Sequence, residues 1–265
     1  LSVASQVDLL YRLHRADACV KDQLEVETMA GVMHVRGTVA GWKRHAQILA
    51  ALGPFAENPA VSIDLAVSDV DPPGEIAQEK LAESRLHPAS MPGFEPARRY
   101  YLEEVLRTAP PGHPFASESL DAAIDAAVER LGHRVRDRSL RALRHAEALE
   151  RLTRLFDTTR PPGADLNSAA TWQTMLRDHA RLFRHEVEAL RLELQPIFFA
   201  SASLEIGERA SGSRAEPLDL GRVVAEMNEI ARSTSAAVLA TFPCGPEVPA
   251  VAGVEAEEFW RALLR

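Results

Sequence analysis

The chain has 265 residues, 46% apolar and 26% charged, and this composition fits a globular protein of one large domain or two to three small ones. A formal net charge of −8 argues against a general nucleic-acid coat, which needs a positive field to release counterions. No run of about 18 apolar residues offers a membrane span. The two cysteines, Cys19 and Cys244, lie far apart without a CxxC or Cys/His partner, so the common zinc spacings are excluded and their mutual pairing stays open. Because it begins at Leu1 and not at Met, the chain is expected to be a piece of a longer protein.

The first predicted element is a helix over Gln6 to Val20, with Ser5 as N-cap and Leu9, Leu10, Leu13, Ala16 and Val20 on one face. In Gln23 to Thr28, Leu24 and Val26 alternate with Glu25 and Glu27, the pattern of a half-buried strand. After the turn Met29-Ala30-Gly31, the stretch Val32 to Gly41 sets Val35, Gly37 and Val39 against His34, Arg36 and Thr38. Gly37 marks a place where a neighbouring backbone comes close. A helix follows over Trp42 to Gly53 with the stripe Trp42, Ala46, Leu49 and Leu52. A third strand over Ala60 to Ser68 alternates Val61, Ile63, Leu65 and Val67. Four local patterns agree on one small α+β unit, in which Val35, Val39, Leu49, Leu52, Ile63 and Leu65 are expected to share a core.

Residues 71–115 change character. Pro72-Pro73-Gly74, Met91-Pro92-Gly93 and Pro110-Pro111-Gly112 punctuate a connector with short helices, one of them near Ala97 to Thr108. Two long helices are expected over 116–196, one from the N-cap Ser117 to Phe156 and one from Ser168 to Gln195, closed by Pro196. With the Pro161-Pro162-Gly163 turn between them, they are expected to form an antiparallel hairpin. Gly132 marks a bend or a close crossing. Residues 197–265 read as a C-terminal α+β segment: a strand over Ile197 to Glu208, in which Ser203 to Glu208 alternates, a helix over Leu218 to Arg232, a strand over Ala236 to Phe242 and a short helix over Glu255 to Leu264.

With those residues laid out, the N-terminal segment of about 60 residues resembles a BON domain, a small bacterial module with helix–strand–strand–helix–strand order. The resemblance rests on Val35-Arg36-Gly37-Thr38-Val39, the helix from Trp42 to Leu52 and the strand from Val61 to Val67. It departs from the family at Gly53-Pro54-Phe55-Ala56-Glu57-Asn58-Pro59, where a tighter turn is usual. The resemblance implies a non-catalytic module outside the cytoplasmic membrane that touches lipid surfaces or protein partners, with no catalytic residues to carry over. The layout of the whole chain also resembles the extracytoplasmic part of bacterial membrane proteins. The fold class is therefore α+β, a BON-like three-stranded sandwich at 1–70 joined through the connector to the hairpin and the C-terminal segment.

Chemistry-bearing patterns are sparse. His133 and His145 are twelve residues apart on one helix, about 18 Å along its axis, too far to share a metal. His179 and His185 point to different sides of theirs. His185-Glu186 begins like a zinc-protease motif but lacks the second histidine, so each histidine is read as a surface or helix-packing residue and no metal or cofactor is expected. No Gly-x-Ser-x-Gly frame and no phosphate loop occurs, and Cys244 is not tied by sequence to an activating group. The arginine run on the first long helix is interleaved with acids; its least neutralised part, Arg130, Arg134, Arg138, Arg141 and Arg144, is the candidate interaction surface for a protein partner or an acidic envelope surface. The leading expectation is a non-enzymatic interaction or sensor region outside the membrane. The alternatives are a cytoplasmic scaffold that dimerises or docks through the hairpin, and a hydrolase whose site is assembled from residues scattered in sequence.

Overall fold

The computed structural model describes residues 1–68, 93–108, 117–156, 163–198 and 219–242. The strand expected over Ile197 to Glu208, apart from Ile197 and Phe198, which are helical, the helix at Glu255 to Leu264, Cys244 and most of the 71–115 connector lie outside them. The described residues are mostly helical with one small mixed sheet, a coarse α+β class.

Helix α1 (Val3–Arg15) starts a turn earlier than the sequence pattern indicates, because Ser2, not Ser5, is the cap: its Oγ accepts from the Ser5 N–H at 3.2 Å. The expected single helix to Val20 is broken at Asp17, whose φ of 54° is left-handed, and a four-residue α2 (Ala18–Lys21) follows. Arg44 holds the break. Its guanidinium donates to the Ala16 carbonyl at 2.7 Å and to the buried Asp22 carboxylate at 2.6 Å, so the freed carbonyl is satisfied.

Strand β1 (Gln23–Met29) pairs antiparallel with β2 (Val32–Ala40) through the two-residue turn Ala30-Gly31, with Met29 opposite Val32. Both turn residues have positive φ, as a primed turn that follows the strand twist requires. Strand β3 (Val61–Ser68) runs parallel to β2, with Ile63 opposite Val35 and Leu65 opposite Gly37, so β2 is central. Helix α3 (Gly41–Leu52), continued by a 3-10 turn over Gly53–Phe55, makes the crossover that a parallel pair needs.

The inner residues are Leu24, Met33, Val35 and Val39, packed with Leu9 and Leu13 of α1 and with Ile48, Leu52 and Phe55; Ile63 and Leu65 are half-buried against them. Five of the six expected core positions therefore belong here, and Leu49 does not. The helix turns the phase Ile48–Leu52–Phe55 inward, so the stripe Trp42–Ala46–Leu49 faces out, with Trp42 70% and Leu49 39% exposed. Apolar side chains occur on both faces of α3, and the spacing alone did not say which face meets the sheet.

Helix α4 (Phe94–Thr108) precedes α5 (Ser117–Leu155) and α6 (Leu166–Phe198). The Asp165 carboxylate caps α6 by accepting from the Ser168 N–H at 2.7 Å, and that backbone bond holds its pKa below the usual range. Pro196 does not end α6, which runs two residues further; Leu194 and Ile197 bury there. Helix α7 (Leu220–Thr241) corrects the expected strand at Ala236 to Phe242. Ala236, Ala237, Leu239 and Ala240 are good helix formers, and Val238 and Phe242 are four apart on one buried face.

Contacts gather the described residues into two units, one of 1–68, 141–156, 163–184 and 219–231, the other of 93–108, 117–140, 185–198 and 232–242. The boundaries between these units fall inside α5, α6 and α7. In the first unit, Phe156 meets Trp172 at 5.0 Å and His145 meets His179, an antiparallel α5–α6 pairing, and Val7 and Leu10 of α1 join the Trp172 cluster. The Arg151 guanidinium donates to the Leu24 and Cys19 carbonyls. In the second unit Leu131, Val135, Leu190 and Leu194 pack with Phe242. The Phe242 ring approaches within 3.4 Å of where a Cβ on Gly132 would stand, so Gly132 marks a close crossing. No helix among the described residues is long and apolar enough to cross a membrane.

Candidate functional site

Three imidazoles from three helices meet inside the first unit. On α1, Val7, Leu10 and His14 fall on one stripe; on α5, Ala142, His145 and Leu149 do; on α6, Trp172, Met175 and His179 do. Each histidine thus stands at a core position of its helix, and packing the three stripes brings the rings together. His14 Nδ1 lies 3.2 Å from His179 Nε2, and His179 Nδ1 lies 3.2 Å from His145 Nδ1. At the other end His14 Nε2 is 3.4 Å from Asp178 Oδ2. His179 is 2% and His145 7% exposed, whereas His14 is half-buried and the Asp178 side chain reaches the surface.

Burial pushes the His179 pKa down to about 3, with His14, His145 and the Arg151 guanidinium adding repulsion against a positive ring. A neutral His179 has one N–H and one lone pair, and the bonds at its two nitrogens fix which is which. A carboxylate only accepts, so a neutral His14 ring carries its proton on Nε2 and offers a lone pair at Nδ1. His179 then donates from Nε2, leaving its Nδ1 to accept from the Nδ1–H of His145. With the rings neutral, these three contacts then share one direction of donation, from His145 through His179 and His14 to Asp178.

His145 and His179 are helix-packing residues, one of the two readings expected of each histidine, and here they meet each other and His14. Spacing within one helix excludes a shared site along that helix, but it is silent about partners from other helices, and His14 stood out in no motif. The legible signal was weaker: three histidines sit where a buried stripe expects an apolar residue. The nitrogens are strung in line and do not converge on one point. Among the described residues no three His, Cys, Asp or Glu side chains are grouped to hold a metal ion.

The arginines expected to form a binding surface are divided by the structure. Arg138 donates to Glu193 at 2.7 Å and to the buried Glu186 at 3.3 Å, and Arg134 lies 3.4 Å from Glu193. Arg138 is thereby a packing residue between α5 and α6 of the second unit. Arg130 and Arg141 are exposed, and Arg144 is half-buried. The Cys19 thiol is pushed up to about 11 by burial, which leaves it unreactive at neutral pH. It borders a cavity of about 20 Å³ lined also by Leu10, Leu13, Leu24, Val26, Ala148, Arg151 and Leu152.

The outer side of α3 is an exposed, largely apolar face. Trp42, Ala46, Leu49, Ala50 and Gly53 are all exposed, and Lys43 is the exposed charge among them. The Trp42 indole is held by an edge contact with His45 at 5.6 Å. Comparison of the chain with protein-family models, curated proteins and solved structures finds no match.

Proposed function

We propose that this chain is a non-catalytic interaction or sensor region of a bacterial envelope-associated protein, working on the extracytoplasmic side, and that its N-terminal BON-like module docks a protein partner through the outer face of α3. The observation that carries the reading is the outward stripe Trp42–Ala46–Leu49–Ala50–Gly53. An indole 70% exposed is a costly surface residue, and Trp is a favoured anchor of interfaces. The small residues Ala46, Ala50 and Gly53 follow at helical spacing, so a partner backbone can come close beside the Trp42 and Leu49 knobs. An amphipathic helix with apolar anchors three, four and seven apart fits that shape, and an acidic residue at its edge fits Lys43. The net charge of −8 sets the chain as a whole against an acidic lipid surface, which favours the protein partner.

A photocrosslinker placed at Ala46 in the full chain tests this in cells, with Glu25 on the opposite side of the sheet as the control position. The expected result is a discrete protein adduct at position 46, lost in Trp42→Ser/Leu49→Ser, with the thermal midpoint unchanged. Equal adducts at both positions, or adduct formation insensitive to the double substitution, sinks the α3 reading. Anionic-vesicle co-sedimentation abolished by the same substitutions replaces it with the envelope surface.

A further inference from the structure

We infer that the open edge of β3 is a docking site for an extended segment of a partner protein, which adds to the sheet as a fourth strand and sets a basic side chain opposite Asp64. The site lies on a different element from the docking face of α3 and stands or falls separately.

The strand order β1-β2-β3 leaves β3 with a neighbour on one side only among the described residues. The Met33 N–H donates to the Ala60 carbonyl at 2.9 Å, which sets the phase of the parallel ladder. In such a ladder, residues whose N–H and C=O bond the neighbour alternate with residues whose two groups point away from it. Ala60, Ser62, Asp64 and Ala66 therefore turn their backbones to β2, and Val61, Ile63, Leu65 and Val67 turn theirs to the open edge. The Asn58 carbonyl takes the Val61 N–H at 2.9 Å, so the N–H groups of Ile63, Leu65 and Val67 are left for an incoming strand. The side chains of the same residues are half-buried against the core, and an added strand covers apolar surface as it satisfies backbone. The two edges of the sheet differ. On β1 the Arg151 guanidinium takes the Leu24 carbonyl, whereas β3 has no proline, no lysine and no bulge to turn a strand away.

Charge selects the occupant. On the side of the sheet away from its core, Glu25 of β1, Arg36 of β2 and Asp64 of β3 stand in one cross-strand row, all exposed. The signs alternate along the row, and a lysine or arginine on a fourth strand continues it. The Arg36 Nη2 lies 3.5 Å from His34 Nδ1, and Asp64 enters no ion pair among the described residues. A second copy of the chain is a poorer match. Full overlap of two β3 strands across a two-fold axis pairs Ile63 with Leu65 and sets the two Asp64 carboxylates opposite each other, and each copy carries a net charge of −8. A partner segment that alternates β-branched and polar residues around one basic side chain meets both the apolar side of β3 and Asp64.

NMR titration of the 15N-labelled full chain with the synthetic peptide Thr-Val-Thr-Val-Lys-Val-Thr-Val-Thr tests this. The peptide reads the same in both directions, so it suits a parallel or an antiparallel addition. The expected result is a saturable shift of the Ile63, Leu65 and Val67 amides. Glutamate in place of the peptide lysine weakens binding about fivefold, and Asp64→Lys reverses that preference. N-methylation of the valines and N-methylation of the threonines differ: one abolishes binding and the other leaves it, because only alternate amides of an added strand face β3. No saturable shift, equal binding of the lysine and glutamate peptides, or equal effects of the two methylation patterns overturns the proposal. So does binding lost in Trp42→Ser/Leu49→Ser, which moves the peptide to α3. Dimerisation of the free chain that broadens the same three amides replaces the partner with a second copy. The wild-type titrations decide by themselves if Asp64→Lys does not fold.

Discussion

Arg138 illustrates how a side chain that reads as surface charge becomes part of the packing. Its guanidinium spans Glu186 and Glu193, and the Glu186 carboxylate is largely hidden from water. Arg138→Met removes the bonds to both and is expected to lower stability by about 2 kcal/mol in chemical denaturation. Arg130→Glu, at an exposed position, is expected to change it by less than about 0.5 kcal/mol. His179 makes a second residue-level prediction. Its folded pKa near 3 lies below the ordinary unfolded value of about 6.5, so the unfolded chain binds more protons between those values. Stability contributed by the neutral ring is full above pH 6.5 and is lost progressively as pH falls towards 3. At pH 5.5 the loss is about 1.4 kcal/mol, read as a drop in unfolding free energy that His179→Gln flattens. Neither role was legible in the sequence. Pairing between Arg138 and Glu193 crosses two helices, and the histidines were readable only as three polar residues in apolar stripes.

Helix α3 is the element where spacing and structure part company. Both Trp42–Ala46–Leu49 and Ile48–Leu52–Phe55 satisfy helical periodicity, and the choice between them rests on how β2 and β3 approach, which no local pattern encodes. The outcome separates two neighbouring residues sharply. Ile48→Ala is expected to cost about 2–5 kcal/mol, whereas Leu49→Ala is expected to stay within about 0.5 kcal/mol, both measured by urea titration. The strands themselves were legible, because alternation with a period of two leaves one apolar face and a slipped register exposes it. Helix α7 was half legible: its amphipathic first part was readable, while Val238 and Phe242 on a run of alanines looked like a strand until the Phe242 ring found Gly132. Caps were the least legible, since Ser2 and Ser5, or Asp165 and Ser168, offer the same chemistry one turn apart.

At the scale of the molecule, the division into units runs through the long helices, and the sequence hides it because punctuation by proline and glycine marks loops and not the limits of a core. One consequence concerns synthesis. Helix α1 serves two clusters: Leu9 and Leu13 face the sheet, while Val7 and Leu10 face Trp172 and Met175. The sheet lies within the first 68 residues, so one side of α1 is covered early, but His14 meets His179 only across a separation of 165 residues. At about 5–20 residues per second, that interval is on the order of ten seconds or longer. Throughout it a nascent chain carries a finished sheet with Val7, Leu10 and Tyr11 bare beside it, a sticky ridge that a ribosome-associated chaperone is suited to shield.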